Sequence, residues 1–203
     1  MTKSTLVFVD IETGGLEFDS PIIEYAAVAV ESGTYREIDS IDCKVQFEVT
    51  DANPKALRVN KFSPTLWEQY AIPEADAATK LALFLKRHAT IEKNTAKGKR
   101  YRIAQLAAHN AEFDTSRLSA WFERLKLFFP ASRRGLCTEQ LAKWFVENRQ
   151  ELDPPYDYKL GTLAYYFSLD TVPNHSALAD TRTAVELARK ISHLGRVALA
   201  SAA

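Results

Sequence analysis

The chain opens on a strand-like run, Leu6-Val7-Phe8-Val9-Asp10-Ile11-Glu12, that is apolar in both alternating sets until two acids enter one of them. Successive strand side chains point to opposite faces, so Leu6, Phe8, Asp10 and Glu12 share one face and Val7, Val9 and Ile11 the other. A strand apolar on both faces belongs in mid-sheet. After Thr13-Gly14-Gly15, Ile22 to Val30 is a second β-branched run. Beyond Glu31-Ser32-Gly33 a third strand is expected over roughly Tyr35 to Val49, making an antiparallel meander. Asn53-Pro54, Ser63-Pro64 and Ile72-Pro73 punctuate the next stretch, in which Ala56 to Phe62 predicts a short helical turn. Ala77, Leu81, Phe84 and Leu85 recur at helical spacing, so Glu74 to His88 predicts the first long helix.

Ile103 to Ala108 reads as a buried strand, and Ala111 to Leu127 as a helix with Leu118, Trp121, Phe122 and Leu125 inward. A short strand near Gly135 to Cys137 follows. Helical stretches over Thr138–Glu147 and Lys159–Phe167 come next, separated by Pro154-Pro155. The last helix starts near Ser176 and turns Ala177, Asp180, Ala184, Leu187, Ala188 and Ile191 to one side. Strands alternating with helices after a meander predict an α/β sheet. One domain over residues 1–192 is expected, with 193–203 a short frayed tail.

Composition narrows the partners. The 203 residues are 46% hydrophobic, enough for one core, and 26 basic residues balance 26 acidic ones. Attraction to a polyanion must therefore come from a local patch or bound metal. Lys93, Lys97, Lys99, Arg100 and Arg102 form such a patch around Gly98, expected to be a loop. It would either track a nucleic-acid backbone or simply be solvated. Cys43 and Cys137 lack metal-ligand spacing and suit free thiols in a reducing compartment, so a cytoplasmic location is expected. There is no membrane-spanning run, and Met1 to Thr5 lacks signal-peptide character.

The acids carry the chemistry. Asp10 and Glu12 enter a desolvated face, Asp114 falls in the first turn of its helix, and Asp180 interrupts an apolar helical face. Asp114 also has a plainer reading, as a charge favoured by the helix dipole. Four carboxylates without an accompanying lysine or arginine make a poor salt-bridge network and a good oxygen site for Mg²⁺ or Mn²⁺. Two ions about 3.5–4 Å apart can clamp a displacement at phosphorus. His175, in a loop before the last helix, is placed to take a proton from water.

Three segments in order, VFVDIETGG from Val7, AAHNAEFD from Ala107 and HSALAD from His175, resemble the exonuclease motifs of the DnaQ-like family, in its DEDDh subtype. The resemblance spans about residues 4 to 192. It implies a ribonuclease H-like fold, a five-stranded mixed sheet flanked by helices with its second strand antiparallel, and metal-dependent 3′→5′ exonuclease activity releasing nucleoside 5′-monophosphates. By this likeness Asp10 bridges two metals, Glu12 and Asp180 hold the nucleophile-side ion, Asp114 helps hold the other, and His175 is the general base. Thr13, Gly14, Gly15 and Leu16 resemble the turn that receives the terminal nucleotide, with Asn60, Phe62, His109, Asn110 and Phe113 as further candidates for substrate contact. The implied partner is nucleic acid with a free 3′ end, DNA favoured over RNA. An exoribonuclease, a polymerase proofreading subunit and a silent nucleic-acid-binding module are the other readings, and homodimer or polymerase association stays open.

Overall fold

The computed structural model describes residues 4–201, with side chains described as far as Arg196. Met1 to Lys3, part of the segment read for a signal peptide, and residues 202–203, the end of the expected tail, lie outside it. Strand β1 (Thr5–Thr13) is the centre of the sheet because both of its alternating sets are apolar. It pairs antiparallel with β2 (Ile22–Glu31), from Thr5 opposite Glu31 to Glu12 opposite Glu24, with a register shift at Thr13. β2 is buried along its whole length and pairs antiparallel with the outer strand β3 (Glu37–Lys44). On the other side β6 (Gln105–Ala108) runs parallel to β1, followed by β7 (Leu136–Cys137), giving the order β3-β2-β1-β6-β7.

The alternation in β1 decides which helix meets which residue. Val7, Val9 and Ile11 face α3 (Glu74–Arg87) and α4 (Ala111–Arg124), packing with Leu81, Leu85, Leu118, Trp121 and Phe122. Phe8 and Val28 face α7 (Ala177–Ser201), against Ala184, Val185 and Ala188. Burying each large apolar side chain contributes about 1.5–3 kcal/mol, so both layers are fixed by the same strand. A third cluster ties α5 (Thr138–Glu147) and α6 (Leu160–Tyr166) to α7 through Phe145, Leu163 and Leu187. No described helix is long and apolar enough to cross a membrane.

Several elements differ from the sequence expectation. The third strand ends at Lys44; Val45 then bridges Ile72, and Val49–Asp51 is a 3₁₀ turn. Asn53 caps α1 (Pro54–Val59) by accepting the Lys55 N–H at 2.8 Å. An unexpected helix, α2 (Pro64–Tyr70), starts on a proline, which fits the first helical position because its missing N–H would have no partner there. The basic stretch is a hairpin, β4 (Ile91–Asn94) antiparallel to β5 (Arg100–Ile103), and Ala104 separates β5 from β6. The last helix continues to Ser201 where a frayed tail was expected, and long-range contacts hold it as far as Arg196. The Tyr35 and Ser192 hydroxyls lie 2.9 Å apart, Arg196 donates to the Gly33 carbonyl at 3.0 Å, and Leu194 packs on the third cluster.

Candidate active site

Asp10 and Glu12 share the β1 face of Phe8, the face covered by α7, so the period of two aims both carboxylates at the start of that helix. Asp180 lies in the first turn of α7. Asp114 comes from the opposite layer, in the first turn of α4, and its Oδ1 accepts the Ile11 N–H at 3.0 Å. The β1–β6 pairing stops at Phe8 and Ala107, so a side chain takes the donor where the ladder has ended. The Asn174 N–H donates to Asp180 Oδ1 at 2.8 Å, bending residues 174–176 over that carboxylate. His175 follows, exposed and at φ 60°, a left-handed conformation that is uncommon outside glycine and asparagine. Glu12, His175 and Asp180 can each present one ligand atom such that all three atoms lie within 4.8 Å of one another.

The four acids are short of positive charge. Burial first, then Asp180 and Glu24, push Glu12 up to about 8 against the opposing pull of Lys44. Asp10 is raised well above the ordinary carboxylate range by burial and then by Asp114, Glu12, Asp180 and Glu24. Burial also raises Asp114, opposed by its hydrogen bond from Ile11, and raises Asp180, opposed by the Asn174 N–H and His175. Among the described residues none of the four makes an ion pair with lysine or arginine. A convergent set of hard oxygens that repel one another fits divalent cations such as Mg²⁺ or Mn²⁺.

Beside Glu12 opens a cleft of about 590 Å³, lined by Thr13, Gly14, Gly15, Leu16, Asn60 and Phe113 among others. Thr13 Oγ1 donates to the Gly15 carbonyl at 2.7 Å, and Asn60 Nδ2 donates to the Thr13 carbonyl at 2.9 Å. Thus Thr13 and Asn60 shape the turn through hydrogen bonds within the chain. The two glycines are required by the protein's own packing. A Cβ on Gly14 would lie 2.8 Å from the Ala52 Cβ, and one on Gly15 2.6 Å from Ser20 Oγ. Leu16 is 86% exposed at the rim.

Other candidates sit elsewhere. Phe62 is not in the cleft: its ring packs against Phe47 and Trp67, at centroid distances of 5.3 and 5.0 Å, because the turn after α1 points it inward. His109 is tied up within the fold. Its Nε2 lies 3.0 Å from the Tyr158 carbonyl, which can only accept, so Nε2 carries the proton and Nδ1 faces the Thr138 hydroxyl at 2.9 Å. Burial pushes His109 down to about 4, so it is a neutral strut at neutral pH. Asn110 caps α4 at φ 58°, exposed, and lines a second groove together with Phe18.

Two features lie outside the residues singled out along the chain. Glu24, buried opposite Glu12, pairs with Lys44 at 3.0 Å, and Lys44 Nζ lies 4.4 Å from the centre of the Trp67 ring. Arg117 donates from Nη2 to the Leu16 carbonyl at 2.7 Å. Strand register was needed to find Glu24, whereas Arg117 stands three residues after Asp114, a helical spacing that could have directed attention to it.

The family model for RNase_T exonucleases matches residues 7–188. The chain belongs to the exonuclease family. No curated protein matches it. Solved structures show the same fold for this exonuclease-family chain. A structure of exonuclease I, described as suggesting how processivity is achieved, aligns with a TM-score of 0.72 at 16% identity, over 94% of this chain and 41% of that one. The zinc-ion-bound form of the E. coli exonuclease I complex with single-stranded DNA gives 0.70 at 15% identity, over 95% and 41%. E. coli exonuclease I with a dT13 oligonucleotide gives 0.70 at 16%, over 92% and 40%. The chain spans about two-fifths of the length of these structures. At such identities they establish the fold, an α/β ribonuclease H-like arrangement with a mixed five-stranded sheet.

Proposed function

We propose that this protein is a metal-dependent 3′→5′ exonuclease of the DEDDh type, acting on single-stranded or frayed DNA. The observation that carries the reading is the convergence of Asp10, Glu12, Asp114 and Asp180, with His175 hanging over Glu12 and Asp180 beside the cleft. Mg²⁺ or Mn²⁺ held by the four carboxylates would neutralise the scissile phosphate and make water more acidic there. The remaining steps fall to the chain's own residues. The Thr13-Gly14-Gly15-Leu16 turn receives the terminal nucleotide, and His175 accepts the proton as the water oxygen bonds to phosphorus. The bond to the upstream 3′ oxygen breaks, that oxygen takes up a proton, and a nucleoside 5′-monophosphate leaves. DNA as the substrate is supported by the oligonucleotides bound to the exonuclease I structures. A cytoplasmic location belongs to the same reading, supported by two free thiols, Cys43 and Cys137.

The test is purified protein on end-labelled single-stranded DNA, duplex DNA and RNA in parallel, with Mg²⁺, Mn²⁺ or chelator. Shortening from free 3′ ends that chelator stops and Asp10→Ala abolishes is the expected result. Undiminished turnover by folded Asp10→Ala protein, or cleavage of a closed circular strand, would overturn the reading, and faster turnover of RNA would reassign the substrate.

A further inference from the structure

The loop after β1 displays two large apolar side chains at the mouth of the cleft, Leu16 at 86% and Phe18 at 58% exposure. Such a display favours water less than almost any other use of the residues, and grouped exposed apolar side chains mark binding surfaces. The loop is held from one side. Arg117, on α4 one turn after Phe113, donates to the Leu16 carbonyl, and its guanidinium carbon lies 3.8 Å from the centre of the Phe113 ring and 5.6 Å from that of Phe18. The guanidinium is thus held between two rings, each attracting it through its π face. Arg117 forms no ion pair among the described residues, and its buried Nε has no hydrogen-bond partner.

Phe18 also stands on a boundary. Phe113 and Leu16 line the 590 Å³ cleft beside Glu12, whereas Phe18 lines the second groove, about 670 Å³, whose charged residues are Arg133 and Arg134 together with Glu112 and Glu123. Leu16 and Glu17 line the cleft and Phe18, the next residue, lines the groove, so a strand running from one opening to the other crosses this loop. Aromatic faces bind bases without regard to sequence, and exposed arginines next to them suit the phosphates between bases. We propose that Phe18 is a stacking subsite for the nucleobase next to the terminal one, with Arg117 as the positioning residue that holds it. The proposal rests on the exonuclease reading for its substrate, and on the loop geometry alone for its location.

Steady-state kinetics on a short single strand tests it, comparing the wild type with Phe18→Ala, Phe18→Tyr and Arg117→Lys. Phe18→Ala raises KM on the order of tenfold and moves kcat far less, the size expected for one lost base stack. Phe18→Tyr restores the wild-type KM. Arg117→Lys keeps the charge but loses the planar stack, and follows Phe18→Ala. On a substrate abasic at the penultimate position the wild type falls to the level of Phe18→Ala, and the substitutions add nothing. A KM that Phe18→Ala leaves unchanged, or a loss that persists in full on the abasic strand, overturns the proposal and makes the loop a structural support. Fluorescence anisotropy of the same strands on Asp10→Asn protein reads the subsite without turnover. Abasic-sensitive binding there, with a wild type inactive on every 3′ end, would sink the exonuclease reading and leave the subsite standing.

Discussion

The carboxylate cluster should make the metal-free protein lose stability as pH rises, and Glu12→Gln should remove much of that loss. Glu12 is pushed from an ordinary value of 4.5 up to about 8, so between those values the folded protein holds a proton that the unfolded chain has released. Stability changes with pH as the unfolded-minus-folded proton count, which is negative here, so this group's contribution falls steadily from about pH 4.5 to 8 and stays lost above. At 1.36 kcal/mol per unit the full displacement is on the order of 5 kcal/mol, an upper bound because Asp10, Asp114 and Asp180 respond to the same field. Glutamine keeps the shape and cannot ionise. In chelator, Glu12→Gln should match the wild type at pH 4.5 and exceed it at pH 8.5 by on the order of 2–5 kcal/mol, or ~4–20 °C in Tm for a chain of this size. Saturating Mg²⁺ should reverse the order, since the ion stabilises the folded state that retains its ligands. Thermal and denaturant melts across pH in both conditions measure this. A wild type whose chelated stability is flat or rising from pH 5 to 8, or a glutamine variant that tracks it, would refute the reasoning.

His175→Ala should lower kcat roughly 10²–10⁴-fold while the Mg²⁺-induced rise in Tm stays near wild type. Because His175 can reach within 4.8 Å of the Glu12 and Asp180 ligand atoms, loss of that rise would instead make it a ligand. The β4–β5 hairpin precedes β6 and so lies at the end of the sheet away from the acids, roughly the ~21 Å length of the 14-residue α4. At about 3.4 Å per nucleotide only strands longer than about six nucleotides reach it, so neutralising Lys97, Lys99 and Arg100 should spare tetramers. On a 20-mer the same change should shallow the salt slope of binding by about 2, and an unchanged slope would identify the hairpin as a merely solvated feature.

The period of two in β1 was enough to put Asp10 and Glu12 on one face of the strand, and the period of the last helix was enough to place Asp180 inward. Both are local signals, and the sheet realises them directly. What the sequence hid depends on contacts distant along the chain. Phe62 sits at the expected place in sequence but turns toward Phe47 and Trp67, and nothing near it announces α2 as a second wall. The basic hairpin alternates only over the four residues of β5, where Tyr101 and Ile103 turn inward between Arg100 and Arg102, while β4 is exposed from Glu92 to Asn94, so the signal is too short to mark a strand. The last helix runs past Ile191 with Leu194 still on the apolar side, and Tyr35 and Gly33, more than 150 residues earlier, bond to Ser192 and Arg196. His109 falls inside a motif, yet its partners Thr138 and Tyr158 arrive only once α5 and the segment after it have packed.

The rims of the sheet set how this molecule can meet its own copies. An open strand edge is a template for another chain, and here one rim, β7, is only two residues long. The other rim is β3, which presents Glu37, Asp39 and Asp42 along eight residues. Arg182 grips Glu37 through two hydrogen bonds, at 3.1 and 2.9 Å, while Arg87 and His88 hold Asp39 at 2.8 and 2.9 Å. A second copy adding itself antiparallel along β3 would bring its own acids against these and would have to break the clamps first. Both rims therefore oppose growth of the sheet into ribbons or fibrils, and β2, buried along its whole length, lies one strand further in.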